Sequence, residues 1–173
     1  MLNIIYSFIL HPIKTIQTKN HTKDWAAWWL IITITALISA IKLSGLSLFM
    51  LVAFAIVIIF WVLLSSGIID CTAQLMGTNG HYLDLVYWLP FANMVMWLLP
   101  SLIVIQDMAY VLGTLLIFVL NIIHAMFIWM VVKGILRFNT WHTIVVFVAP
   151  VVIGFGVVIS GIAYGAQVWA SLI

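Results

Sequence analysis

The chain has 173 residues, of which 66% are hydrophobic and only 6% charged; it carries four Asp, no Glu, six Lys or Arg and a formal net charge of +2. With a mean hydropathy of +1.31, such a chain has too little polar surface to stay wet as a soluble domain. The lone Cys71 rules out a disulfide-stapled fold, and no basic face exists for nucleic acid.

The charges sit in short gaps between long apolar runs. No Asp, Glu, Lys or Arg lies between Asp24 and Lys42, Lys42 and Asp70, Asp84 and Asp107, or Asp107 and Lys133, and none follows Arg137. A helix needs about 20 apolar residues to cross a hydrocarbon core of roughly 30 Å. The runs therefore predict five spans, at about 25–41, 46–69, 86–105, 109–132 and 144–169. Transmembrane strands would alternate polar and apolar positions over about 10 residues, whereas Leu51–Leu64 is continuously apolar. The expectation is an all-α polytopic membrane protein, one five-span bundle across residues 1–173.

Ahead of the first span, MLNIIYSFIL lacks a basic start and a small-residue cleavage site, so it does not read as a signal peptide. Leu2, Ile5, Phe8 or Ile9 and Ile13 recur at helical spacing before Lys14, Lys19 and Lys23. Residues 1–24 are expected to form a short interfacial helix feeding a basic linker. With five spans, these lysines share a side with Lys133 and Arg137, and only Lys42 lies opposite. Cytoplasmic loops carry the basic excess, which places the amino terminus in the cytoplasm of a cell with the protein in its plasma membrane. Trp25, Trp28, Trp29, Trp129, Trp141, Tyr110 and Trp169 fall near span ends, where an interfacial belt is expected. Trp61 and Trp97 are expected between helices.

The second run is expected to continue as helix through Asp70 to Met76, until Gly77 offers a positive φ for a cap and Thr78-Asn79-Gly80 turns the chain. On this topology Asp70, His81, Asp84, Lys133, Arg137 and His142 form a cytoplasmic polar cluster. Such a cluster binds an ion, an anionic headgroup or a partner, or else Asp70 and Asp84 are counter-ions to Lys133 and Arg137. The ligand types in Asp70, Cys71, His81, Asp84 and His142 suit a transition metal, yet their spacing matches no compact site, and no metal or other cofactor is expected.

Inside the fourth span, Asn121 and His124 lie three residues apart on one helix face. They are candidates for a functional intramembrane pair or for interhelical hydrogen-bond glue. In the fifth span Gly161 and Gly165 make a GxxxG with Gly154 one heptad earlier, a face for close helix packing within the bundle or in a homodimer. Pro90, Pro100 and Pro150 remove backbone donors within spans and are expected to kink them.

In order, His11-Pro12-x-Lys14-Thr15, a second span ending in a polar helix and Gly77-x-x-Gly80, a proline-bearing third span, Lys133-Gly134-x-x-Arg137 and Pro150 resemble the Yip domain family of five-span, Ypt/Rab-interacting proteins. The resemblance runs through essentially the whole chain and is similar to the compact prokaryotic members. The long amino-terminal region with its Asp-Tyr-Gly-Pro-like motif is missing, so Rab binding is not carried over. Nothing reads as a nucleophile with its base, a phosphate loop or a paired-carboxylate site. The expected role is therefore non-enzymatic: organising the bilayer or scaffolding other membrane proteins. The alternative is a small transporter or channel built on the kinked third and fifth spans and the Asn121/His124 face.

Overall fold

The computed structural model describes residues 2–19, 23–44 and 48–170, with side-chain surroundings described for all of these except 2, 41–44, 154, 155, 157–159 and 161–170. Every element among them is helical: α1 (Leu2–Leu10), α2 (Pro12–Lys19), α3 (Trp25–Ser44), α4 (Leu48–Leu75), α5 (Tyr82–Ala92), a 3-10 segment (Asn93–Leu98), α6 (Leu99–Met108), α7 (Tyr110–Leu136) and α8 (Thr140–Ala170). Three stretches are long and apolar enough to cross a membrane, Leu48–Leu75, Tyr82–Met108 and Tyr110–Leu136. The described apolar parts of α3 and α8, Trp25–Ala40 and Thr140–Ile153, are shorter.

The apolar surface of these helices points outward. Only 6% of the most apolar window of α4 is buried within the protein, and Phe60, Val111 and Phe118 are exposed. A solvent of lipid explains such a surface, whereas water would drive it to aggregate. Trp61 belongs to this outer face, being 57% exposed rather than packed between helices. Trp97 does pack inward, where its Nε1–H donates to Thr35 Oγ1 of α3 at 3.0 Å.

Local chemistry sets the helix ends. Asp24 Oδ1 accepts from the backbone N–H of Ala26 at 3.1 Å and of Ala27 at 3.3 Å, satisfying two of the orphan donors that open α3. At the end of α4, Thr78 N–H reaches Ala73 O and Gly77 N–H reaches Gln74 O, with Gly77 at φ 88°. This is a Schellman ending, and the glycine removes the Cβ that would oppose the left-handed turn. The third hydrophobic run is not one helix. Pro90 lacks the N–H that α-helical pairing requires, the backbone tightens into the 3-10 segment at Asn93, and Pro100 lies in the first turn of α6, where a missing donor costs nothing. Pro150, by contrast, lies inside the continuous α8.

The amino-terminal segment departs most from expectation. Residues 12–19 form α2 rather than a linker, and α2 packs against α7. The helix α1 packs on the bundle through Phe8, which is fully buried, stacked on Trp88 at 5.8 Å and tilted against Phe91 and Phe127 at 5.4 and 5.9 Å. Sequence spacing left Phe8 and Ile9 as alternatives on the apolar face and carried no information on what that face would meet.

The rest of the core centres on α5, which packs against α3, α4 and α7. Tyr87, Trp88 and Phe91 are fully buried, and Tyr87 and Trp88 meet edge-on at 4.9 Å, the geometry that aromatic quadrupoles favour. Trp28, expected in the interfacial belt, is buried here, with Nε1–H donating to Val86 O at 2.8 Å.

Candidate functional site

The six residues expected as one polar cluster separate into two groups. In the first, Asp70 is buried near the end of α4 and both carboxylate oxygens are occupied: Oδ1 accepts from the His81 backbone N–H at 2.6 Å and Oδ2 from Gln74 Nε2 at 2.7 Å. Asp70 thus ties the loop to its own helix. Asp84, in the first turn of α5, pairs with Lys23 Nζ at 2.6 Å and faces His81 Nδ1 at 3.3 Å.

Lys23 reaches Asp84 because the start of α3 is pinned to α5. The Tyr87 hydroxyl accepts from the Asp24 backbone N–H at 2.9 Å and donates to Asp24 O at 3.3 Å. With both side chains about four-fifths buried, removing Lys23 would strand a partly desolvated carboxylate.

The second group contains no acid. Lys133 and Arg137 form no ion pair among the described residues, so the expected pairing of Asp70 and Asp84 with these two cations is corrected. Lys133 Nζ instead lies 4.6 Å from the centre of the Trp129 ring, a cation–π contact. Arg137 is exposed and ends α7 in a left-handed conformation with φ 52°. His142 turns to Asn139, whose Oδ1 lies 3.0 Å from its backbone N and 2.6 Å from its Nδ1. Between α2 and the end of α7 lies an open cleft of about 360 Å³, lined by Ile13, Gln17, Lys133, Arg137 and Phe138.

Asn121 and His124 share a helix but not a task. Asn121 Nδ2 donates to Ile117 O of its own helix at 2.8 Å on an exposed face. His124 Nε2 lies 3.0 Å from Asn93 Oδ1 in the 3-10 segment; an amide oxygen only accepts, so His124 is the donor. Asn93 is the residue the sequence reading missed. Its available signal was a lone amide in an apolar run three positions after Pro90, where the backbone is released from regular pairing.

Chemically, the first group can set loop geometry, the His124–Asn93 pair can join α7 to the broken third run, and the second group can hold an anion. Among the described residues no three His, Cys, Asp or Glu side chains gather to hold a metal. The faces of Gly154, Gly161 and Gly165, and the surroundings of Lys42, lie outside the described residues. No protein-family model, no curated protein and no solved structure matches the chain, so the Yip resemblance stands on the residues quoted for it.

Proposed function

We propose that this chain is a non-enzymatic, Yip-like membrane protein of five spans that organises the bilayer or scaffolds partners, with α3 and α8 as its first and fifth spans and its amino terminus in the cytoplasm. The observation that carries this reading is a packed aromatic core, in which Phe8, Tyr87, Trp88 and Phe91 are fully buried against one another. A conducting protein needs polar groups along a wet cavity at membrane depth, whereas a scaffold is free to be dry. The orientation is tested with Asn139→Cys in a Cys71→Ser background. An impermeant thiol reagent added outside the cell should leave that cysteine unlabelled; efficient labelling would reverse the topology.

One observation favours the second reading, a small transporter. The third run is broken at membrane depth and presents Asn93 to His124, and broken helices line substrate sites in many transporters. His124→Gln separates the readings, because its amide still donates to Asn93 but does not titrate near neutral pH. The scaffold reading expects His124→Gln to fold and keep its cellular phenotype. It expects His124→Leu, which strands the Asn93 oxygen, to lose about 0.6–2 kcal/mol in detergent unfolding, the scale of interhelical hydrogen bonds in membranes. A folded His124→Gln protein that had lost solute or ion flux in proteoliposomes would establish the transporter instead.

A further inference from the structure

We infer that the cleft between α2 and the end of α7 binds the phosphate of an acidic phospholipid headgroup, with Lys133 and Arg137 supplying the charge, Gln17 a neutral donor, and Ile13 and Phe138 a wall for the apolar glycerol region. Those five residues line a single cleft of about 360 Å³, room for a headgroup and its glycerol but not for acyl chains, which would run into the surrounding lipid.

Three features make this a built site rather than two surface cations. First, α2 is seated tightly on α7. Ile16 is buried, and its side-chain carbons lie 3.2–3.4 Å from where a Cβ on Gly134 would stand. That seating sets Ile13 and Gln17, which lie four residues apart and so share a face of α2 beside Ile16, against the last turn of α7. Second, neither cation is neutralised by a carboxylate among the described residues, and Lys133 is steadied over Trp129. The carboxyl end of a helix carries about half a negative charge, which two full positive charges outweigh. Third, Arg137 occupies the left-handed ending of α7 at φ 52°, with its N–H donating to Lys133 O at 3.1 Å. Glycine is the favoured residue at such an ending, so the chain accepts strain to keep a guanidinium at the mouth of the cleft, and a strained residue held in place points to a role for its side chain.

The depth fits as well. From Tyr110 to Lys133 α7 rises about 35 Å at about 1.5 Å per residue, so with Tyr110 at one face of a hydrocarbon core of roughly 30 Å, Lys133 reaches the headgroup layer of the other. In this placement alone the inference rests on the membrane reading above; it is indifferent to the choice between scaffold and transporter.

The test uses the full chain in uncharged detergent micelles. Binding is followed by native mass spectrometry and by Trp emission, with phosphatidylglycerol, phosphatidylcholine and inorganic phosphate as probes. Phosphatidylglycerol should bind more tightly than phosphatidylcholine. Lys133→Gln and Arg137→Gly should each weaken phosphatidylglycerol binding about five-fold, the effect of one basic residue at an anionic surface. Lys14→Gln, which removes an exposed charge that does not line the cleft, should weaken binding less than either. Because Arg137→Gly relieves the left-handed residue, its melting temperature without lipid should equal or exceed that of the parent, so lost binding cannot be laid to misfolding. Competition by inorganic phosphate would show that the cleft reads the phosphate itself, and tighter binding of inorganic phosphate than of phosphatidylglycerol would assign a soluble source. Equal binding of the two lipids, or equal losses for Lys14→Gln and Arg137→Gly, would overturn the site.

Discussion

Replacing Gly113 with alanine is expected to destabilise the protein by at least about 3 kcal/mol, the upper end of ordinary overpacking. The chain passes from α6 to α7 through the single residue Ala109, at φ −144° and ψ 84°, so the two helices fold back on each other with almost no slack. Gly113, on the first turn of α7, is buried against the backbone of Gln106, and a Cβ there would overlap the Gln106 N, Cα and Cβ atoms. Nothing flexible stands in the way; the obstacle is backbone. To admit one methyl group, α6 must withdraw, which breaks the Gln106 Nε2 to Thr114 Oγ1 hydrogen bond of 3.0 Å. The control is Gly156→Ala, since a Cβ on Gly156 meets nothing within 4 Å and alanine is the better helix former. Unfolding midpoints in detergent should fall sharply for the first variant and stay level or rise for the second. Equal midpoints would mean that the hairpin is not closely packed.

Phe8→Ala should cost about 3–5 kcal/mol, as truncation of a buried aromatic side chain does. The ring makes three aromatic contacts, to Trp88, Phe91 and Phe127, two of them to the run that carries the core. Its neighbour Ile9 is 52% exposed, so Ile9→Ala should cost far less. An interfacial helix lying loosely on lipid would lose comparable amounts from either truncation, because both side chains would then face the same solvent. A matched pair of small shifts in the unfolding midpoint would return α1 to the membrane surface, and a large loss confined to Phe8 would fix it in the bundle.

The same contrast separates what was legible in the residues from what was not. The helical character, the end of α4 at Gly77 and the break after Pro90 follow from local causes. An apolar run in lipid has no partner for its backbone except itself, glycine accepts a positive φ, and proline withholds a donor. These depend on neighbours in sequence, so composition and spacing determine them. Which cation meets which carboxylate does not follow from such causes. In a soluble protein the apolar stripe of a helix announces its inner face; α4 and α7 are apolar all round, so their inward faces carry no mark. For that reason Lys23 rather than Lys133 meets Asp84, His124 meets Asn93 rather than working beside Asn121, and Phe8 enters the core while Trp61 looks outward. Helix formation in this chain was decided residue by residue in the sequence. Helix partnership was decided only by the tertiary packing, through close approaches such as Gly113 on Gln106 and Ile16 on Gly134, which set the rotation of each helix and hence the surroundings of every polar side chain it carries.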